Sequence, residues 1–196
     1  PTHPNVMIVQ DSYLVISGNL KQAKENSDKY VEINRDCDYC LLIAADNHYL
    51  SENFDQALVY YDQVYQNSSV VQMSAATRIA VIKRSKGDSA GANEILNAIE
   101  ISEQKYLDAG HEDLTHYLRL GDVSAIKQNF EQAHHWYIKA VQAGYYFQDG
   151  FELDPSLAKF RETAYYKEII DLIKIELLAQ RIYIEKHSIN KIAFPS

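Results

Sequence analysis

Long apolar runs are missing from this sequence. None approaches the roughly 20 residues that a membrane-crossing helix needs, and the charged, apolar and small-residue succession of a secretion signal does not occur. Basic residues are in deficit as well: 19 Lys and Arg stand against 27 Asp and Glu, a formal net charge of −8. Phosphate backbones are therefore repelled on average and no counterion-release drive is available, so direct nucleic-acid binding is not expected. Cysteine is limited to Cys37 and Cys40. The pair has redox or metal spacing, but there is no second CxxC and no βαβ context to expose a reactive thiolate. Two reduced cysteines are the favoured state, and a disulfide between them would require an oxidising compartment. Neither a GxSxG elbow nor a Gly-rich phosphate loop is found, and acidic residues scatter at exposed helical spacing. The chain thus reads as noncatalytic, with no cofactor and no metal.

What is present suits folding. The 196 residues fit one compact domain or one short repeat array, and 46% apolar with 23% charged residues lies far from the disordered corner. Fifteen tyrosines against six phenylalanines point to many half-buried seams, because a tyrosine ring carries a hydroxyl that needs a partner. Charge is uneven. Residues 158–196 hold seven Lys/Arg and five Asp/Glu, a net +2, which leaves −10 on the first 157 residues. The chain starts at Pro1 without a methionine, as expected of a processed protein or an excised piece of a longer one.

A beat of about 34 residues organises most of the sequence. GNLKQA (18–23), ENFDQA (52–57), GDSAGA (87–92) and QNFEQA (128–133) align on their last alanines, with spacings of 34, 35 and 41. Four residues later stand Ser27, Tyr61, Leu96 and Tyr137, and seven later Tyr30, Val64, Ile99 and Ala140, one face of a helix. Before each turn, at the spacing of a preceding antiparallel helix, lie Met7, Leu41, Ala76 and Tyr117, followed by the small residues Ala45, Ala80 and Gly121. Each unit predicts helix, tight turn, helix, with an apolar face that a single hairpin could not bury.

These residues resemble the tetratricopeptide repeat. HYLRLGDVSAIKQNFEQAHHWYIKAVQAG (116–144) matches best, then LLIAADNHYLSENFDQALVYYDQVYQN in the second unit. The third has Ser89 where an aromatic is usual, and the first has Gln10 and Asp11 in place of the Leu and small residue. The resemblance implies an all-α, right-handed α-solenoid of about four helical hairpins (4–37, 38–71, 73–106 and 114–147, within 1–147) plus C-terminal capping helices in 148–196. The extra seven residues before the fourth unit fall near QKYLDAGHED, where Gly110 can end a helix and a longer loop fits. In the tail, Asp154 suits an N-cap and Pro155 the first helical position. A long helix is expected over about 164–187, with Ile169, Leu172, Ile173, Leu177 and Ile184 on or beside the covering face.

The tail carries a second resemblance. Gly144, Tyr145, Asp154, Pro155, Arg161, Tyr165, Tyr166, Ala179, Gln180 and Arg181 look like the end of repeat regions in bacterial signalling proteins. Examples are membrane-spanning winged-helix transcription activators of the CadC or ToxR-like kind and class III adenylate cyclases. The resemblance implies a sensory or protein-interaction module of a larger signalling or transcription-regulatory protein. Such a module is periplasmic in a membrane-spanning regulator and cytoplasmic otherwise. The alternative is a stand-alone adaptor or assembly scaffold.

In the resembled family the first helices line a concave surface. Projected onto it are Asp46 and Tyr49, Arg78 and Arg84, and Arg119 and Asp122, with Arg78 equivalent to Arg119 and Asp46 to Asp122. An arginine ladder beside acidic residues would clamp a carboxylate of a protein or peptide segment bidentately; self-association through an exposed face is the other mode. The Lys/Asn clamp of chaperone-tail binders is not expected, since Ile8, Ser12, Leu42 and Asp46 stand in its places. His134 and His135 are adjacent, so their side chains diverge by about 100° and cannot grip one metal. HEDLTH (111–116) has one residue too many between its histidines for a zinc-protease helix.

Overall fold

A computed structural model describes residues 4–34, 37–67 and 72–188, without the side chains of residues 4, 5, 7, 8, 65–67, 72–74 and 188. The expected packing of Met7 and the position of Ile8 concern such side chains. Residues 68–71 of the second expected unit and 189–196 of the tail also lie outside the described residues.

Among the described residues the secondary structure is helical and contains no strand. The helices are α1 (Pro4–Ile16), α2 (Leu20–Ile33), α3 (Asp38–Leu50), α4 (Phe54–Asn67), α5 (Gln72–Ser85), α6 (Ser89–Asp108), α7 (Leu114–Ile126), α8 (Phe130–Gln142), α9 (Gln148–Leu153), α10 (Ala158–Arg161) and α11 (Ala164–Ser188), with a 3-10 turn at Pro155–Leu157. None is long and apolar enough to cross a membrane. The extra residues before the fourth unit enter helix rather than loop. They lengthen α6 to 20 residues, and Gly110, at φ +82°, follows its end.

One turn geometry stands at the same place in each of the four aligned segments, and it also ends α6 at Gly110 (His111 to Tyr106) and α8 at Gly144 (Tyr145 to Ala140). Five residues before each aligned alanine the backbone is left-handed: Gly18 (+77°), Glu52 (+56°), Gly87 (+90°) and Gln128 (+63°). The next amide always reaches back to the carbonyl five residues earlier: Asn19 to Leu14 (2.7 Å), and Asn53 to His48, Asp88 to Lys83 and Asn129 to Ser124 (2.9 Å each). This 6→1 bond closes the helix and satisfies one of its orphan carbonyls. Only glycine enters the left-handed region without Cβ strain, which is worth roughly 1–2 kcal/mol per residue. Glu52→Gly and Gln128→Gly are each expected to raise stability by about 0.5–1 kcal/mol, the unfolded-chain entropy of glycine offsetting part of the gain. Urea unfolding measures this; lowered midpoints at both positions would contradict it.

The register translates into burial. Ala23, Ala57, Ala92 and Ala133 are completely buried, as are Ser27, Tyr61, Leu96 and Tyr137. In α5 the buried positions are Ala75, Ile79, Ala80 and Ile82, whereas Ala76 is only half-buried.

The chain divides into two compact units, Pro1–Gln104 with Leu153–Pro155, and Lys105–Glu152 with Ser156–Ser196. Within the first, α1 packs on α2, α2 on α3, α3 on α4 and α4 on α5, and α1 also meets α3. Its core joins Ala45 and Tyr49 of α3, Ala57 and Tyr61 of α4, and Ala75, Ile79 and Ile82 of α5, with Ile95 of α6 packed against them.

In the second unit α7 packs on α8, and α11 on α8 and α10. Tyr137 is the hub of this core: its ring meets Phe151 edge-on at 4.8 Å and lies 5.3 Å from Phe160. Gly121 makes room for it, since a Cβ there would fall 2.4 Å from Tyr137 Cε1. Helix α11 covers α8 through Ile169, Ile170 and Ile173, which are buried, and Leu172, which packs partly covered against the same cluster. Leu177 and Ile184, expected to join that cover, are instead 44% and 59% exposed. They continue the covering face beyond Ile173, the last α11 side chain of the buried cluster.

Candidate functional site

The six residues projected onto a binding surface fall in different units: Asp46, Tyr49, Arg78 and Arg84 in the first, Arg119 and Asp122 in the second. In the first unit three of them form one closed network. Arg78 on α5 donates from Nη1 to Asp46 Oδ1 on α3 at 2.5 Å, and the two side chains are 27% and 29% exposed. The Tyr61 hydroxyl donates to the same carboxylate oxygen at 2.6 Å. The Arg78 guanidinium lies 5.4 Å from the centroid of the Tyr49 ring, a cation–π distance. Tyr49 in turn donates its hydroxyl to Asp154 at 2.9 Å.

Electrostatics agree with the geometry. Burial works against the Arg78 charge, but Asp46 foremost, then Tyr61, Asp154 and Tyr49, outweigh it, and the guanidinium pKa is raised well above its usual value. Burial and the Asp46 carboxylate hold the Tyr61 phenol far above its ordinary pKa, against the opposing pull of Arg78. Tyr49 was expected on an accessible surface and is completely buried, so it offers a ligand no area. Arg84 donates to Asn93 at 2.7 Å across α5 and α6.

In the second unit Asp122 accepts the Tyr137 hydroxyl at 2.8 Å. This repeats the Tyr61–Asp46 bond, with the same separation of 15 residues in both cases. Arg119, on α7, is half-buried. Nearby, Tyr117 and Trp136 stack at 6.1 Å, and Lys139 Nζ lies 5.4 Å from each ring centroid.

The remaining candidates resolve into structure. His134 lies 4.8 Å from the Tyr165 ring with Nε2 3.0 Å from Glu168, while His135 turns to Trp136. In HEDLTH, Asp113 caps α7 by accepting from the Thr115 and His116 amides at 2.8 and 3.3 Å. Partial burial raises its pKa, but those two bonds bring the net value below the ordinary one. His116 stacks on Tyr106 at 4.9 Å. No cluster of three metal-ligating side chains occurs among the described residues. Cys37 and Cys40, for which the reduced state was favoured, are joined as a disulfide with Cα atoms 5.2 Å apart. The bond is local: Cys37 is the extended residue capping α3, and Cys40 completes the helix's first turn.

Two polar clusters were not anticipated. His48 is buried with both ring nitrogens engaged, Nδ1 with Asn53 and Nε2 with Asp28, each at 2.9 Å. Asn53 presents its amide nitrogen Nδ2 to Nδ1, and in that arrangement Nδ1 accepts while Nε2 faces the carboxylate. The Tyr60 hydroxyl donates to that carboxylate too, and burial, then this bond, push the Tyr60 pKa up to about 12. With both nitrogens taken, His48 is a structural strut rather than an available base. The second cluster surrounds Asp11, buried on α1, which receives the Asn47 amide at 3.4 Å. A cleft of about 570 Å³ between α1 and α2 is lined by Val9, Gln10, Tyr13, Leu14, Gln22 and Asn26. Its only signal in the sequence was the loss of the repeat pattern at Gln10 and Asp11.

No protein-family model matches the sequence, and no curated protein matches it.

Proposed function

We propose that this chain is a noncatalytic tetratricopeptide-like interaction module, a right-handed α-solenoid of about four hairpins with a C-terminal cap. It would serve as the sensory or protein-binding portion of a larger bacterial signalling or transcription-regulatory protein. The observation that carries this reading is the constant place of one turn, left-handed five residues before each aligned alanine at positions 18, 52, 87 and 128, with the same 6→1 bond. Repeats of this kind bind through exposed side chains on a fixed helical frame rather than by chemistry at one centre.

The partner is a protein segment presenting carboxylates, with Arg84 in the first unit and Arg119 in the second as separate candidate contacts on a region of net charge −10. Asp46, Tyr49 and Arg78 hold the frame. A labelled peptide panel, with free or amidated C termini and with acidic or neutral side chains, tests this by fluorescence anisotropy. Arg84→Glu and Arg119→Glu are each expected to weaken acidic peptides by about tenfold, the loss of one charge-assisted pair. Unchanged affinity in both variants overturns the assignment. The upstream reading frame tests the larger setting: a winged helix with a membrane span, or a cyclase domain, is expected. An initiator methionine directly before Pro1 would make the chain a stand-alone adaptor instead.

A further inference from the structure

Helix α11 runs well past the core it covers. Ile169, Ile170 and Ile173 face α8, but from residue 174 to residue 187 no side chain of this helix is buried. Large apolar residues are among them: Ile175 is 62% exposed, Leu178 58%, Ile182 42% and Tyr183 63%. At 100° per residue, Asp171, Ile175, Leu178, Ile182 and Lys186 fall within an arc of about 80°, on the side away from Ile169 and Ile173. The stripe is about 22 Å long, with spacings of four, three, four and four residues, close to a coiled-coil seam.

The order of residues along the stripe is self-complementary. Centred between Leu178 and Ala179, an antiparallel copy of the same helix sets Ile175 against Ile182, and Asp171 against Lys186 at both ends. Asp171 and Lys186 are both exposed in the single chain. A parallel copy would oppose Asp171 to Asp171 and Lys186 to Lys186. A surface that complements itself under a two-fold rotation defines an isologous interface.

From this we infer that α11 is a homodimerisation helix, with two copies of the chain pairing antiparallel through the Asp171–Lys186 face. The partner is a second copy because apolar positions and charges both match under one two-fold axis. The opposite face of α11 keeps its packing on α8, so the fold need not change. One helix pair of this length lies at the low end of specific interfaces, about 1,000 Å² in total, the size class of weak and transient association. The inference goes beyond the peptide-binding reading and uses none of its residues.

Sedimentation equilibrium of the whole chain from low to high micromolar concentration tests it. The expected result is a concentration-dependent monomer–dimer equilibrium. Leu178→Glu, at an exposed position, should give a monomer with unchanged far-UV circular dichroism. Asp171→Lys or Lys186→Asp alone should weaken the dimer by about tenfold, and the double exchange should restore it to within about threefold. A wild-type monomer throughout overturns the inference, whether or not it sediments with phosphatidylcholine–phosphatidylserine vesicles. So does a dimer indifferent to Leu178→Glu, or a double exchange that fails to recover. Acidic-peptide affinity measured on Leu178→Glu separates the two proposals, since loss of dimerisation leaves Arg84 and Arg119 intact.

Discussion

Replacing Asp46 with alanine should lower the stability of the chain by about 3 kcal/mol. That is the low end of what breaking a buried ion pair costs, reduced because both side chains are about a quarter exposed. Two groups lose their acceptor at once: the Arg78 guanidinium and the Tyr61 hydroxyl, whose side chain is completely buried. A buried donor left unmatched carries its full desolvation penalty. The Arg78 cation beside the Tyr49 ring would then have to draw water toward an apolar core. Asp46→Asn keeps an acceptor for Tyr61 while removing the charge, and Arg78→Met keeps the packed stem while removing the cation. Combined, they should recover stability to within about 1 kcal/mol of the parent, because a charge pair deleted together leaves nothing uncompensated. Urea unfolding of the four proteins closes the cycle; additive single effects would show that the pair is not coupled. A network this costly to break ties these three side chains to the frame of the first unit.

The alanine register was legible because close helix crossings admit only small side chains, so Ala23, Ala57, Ala92 and Ala133 mark the contacts directly. Gly121 was legible for the same reason, standing where Tyr137 needs space. Tyr61 and Tyr137 could be placed on the buried face by their period. Which carboxylate each hydroxyl meets could not, since that depends on side-chain directions across a helix pair. Arg78 and Asp46 illustrate the limit. Helical periodicity put both on the same face of successive hairpins, yet it says nothing of their 32-residue embrace, and an arginine ladder and an internal ion pair share one pattern. Tyr49 was misplaced for a related reason: its hydroxyl partner, Asp154, lies 105 residues away. Leu177 and Ile184 obey the period of the covering face, but a period carries no information about where the covered surface ends. In the CxxC pair, spacing allowed either redox state, and the bond across one helical turn depends on the extended backbone at Cys37.

The Asp11 carboxyl should make the chain more stable in mild acid than at neutrality. Asp11 stands where the other units have Ala45, Ala80 or Gly121, and it is 1% exposed. Its Oδ1 has no hydrogen-bond partner among the described residues. Burial raises its pKa from 3.8 to about 6, only partly countered by Asn26 and Asn47. The folded state therefore holds this proton more tightly than the unfolded chain does. Below about pH 4 both states are protonated and the group is neutral to stability. As pH rises from about 4 to about 6 the unfolded chain releases the proton first, so stability falls across this window and then levels off. The displacement corresponds to about 3 kcal/mol. Asp113, lowered in the folded state, acts in the opposite sense in more acidic solution, so the clean comparison is with Asp11→Asn. That variant cannot ionise and still offers Asn47 an acceptor. Its advantage over the parent should be about 2 kcal/mol at pH 8, after allowing for a weaker neutral hydrogen bond, and should vanish near pH 4. Unfolding free energies of both proteins from pH 4 to pH 8 decide the matter, and parallel curves would mean that Asp11 is solvated in the folded chain.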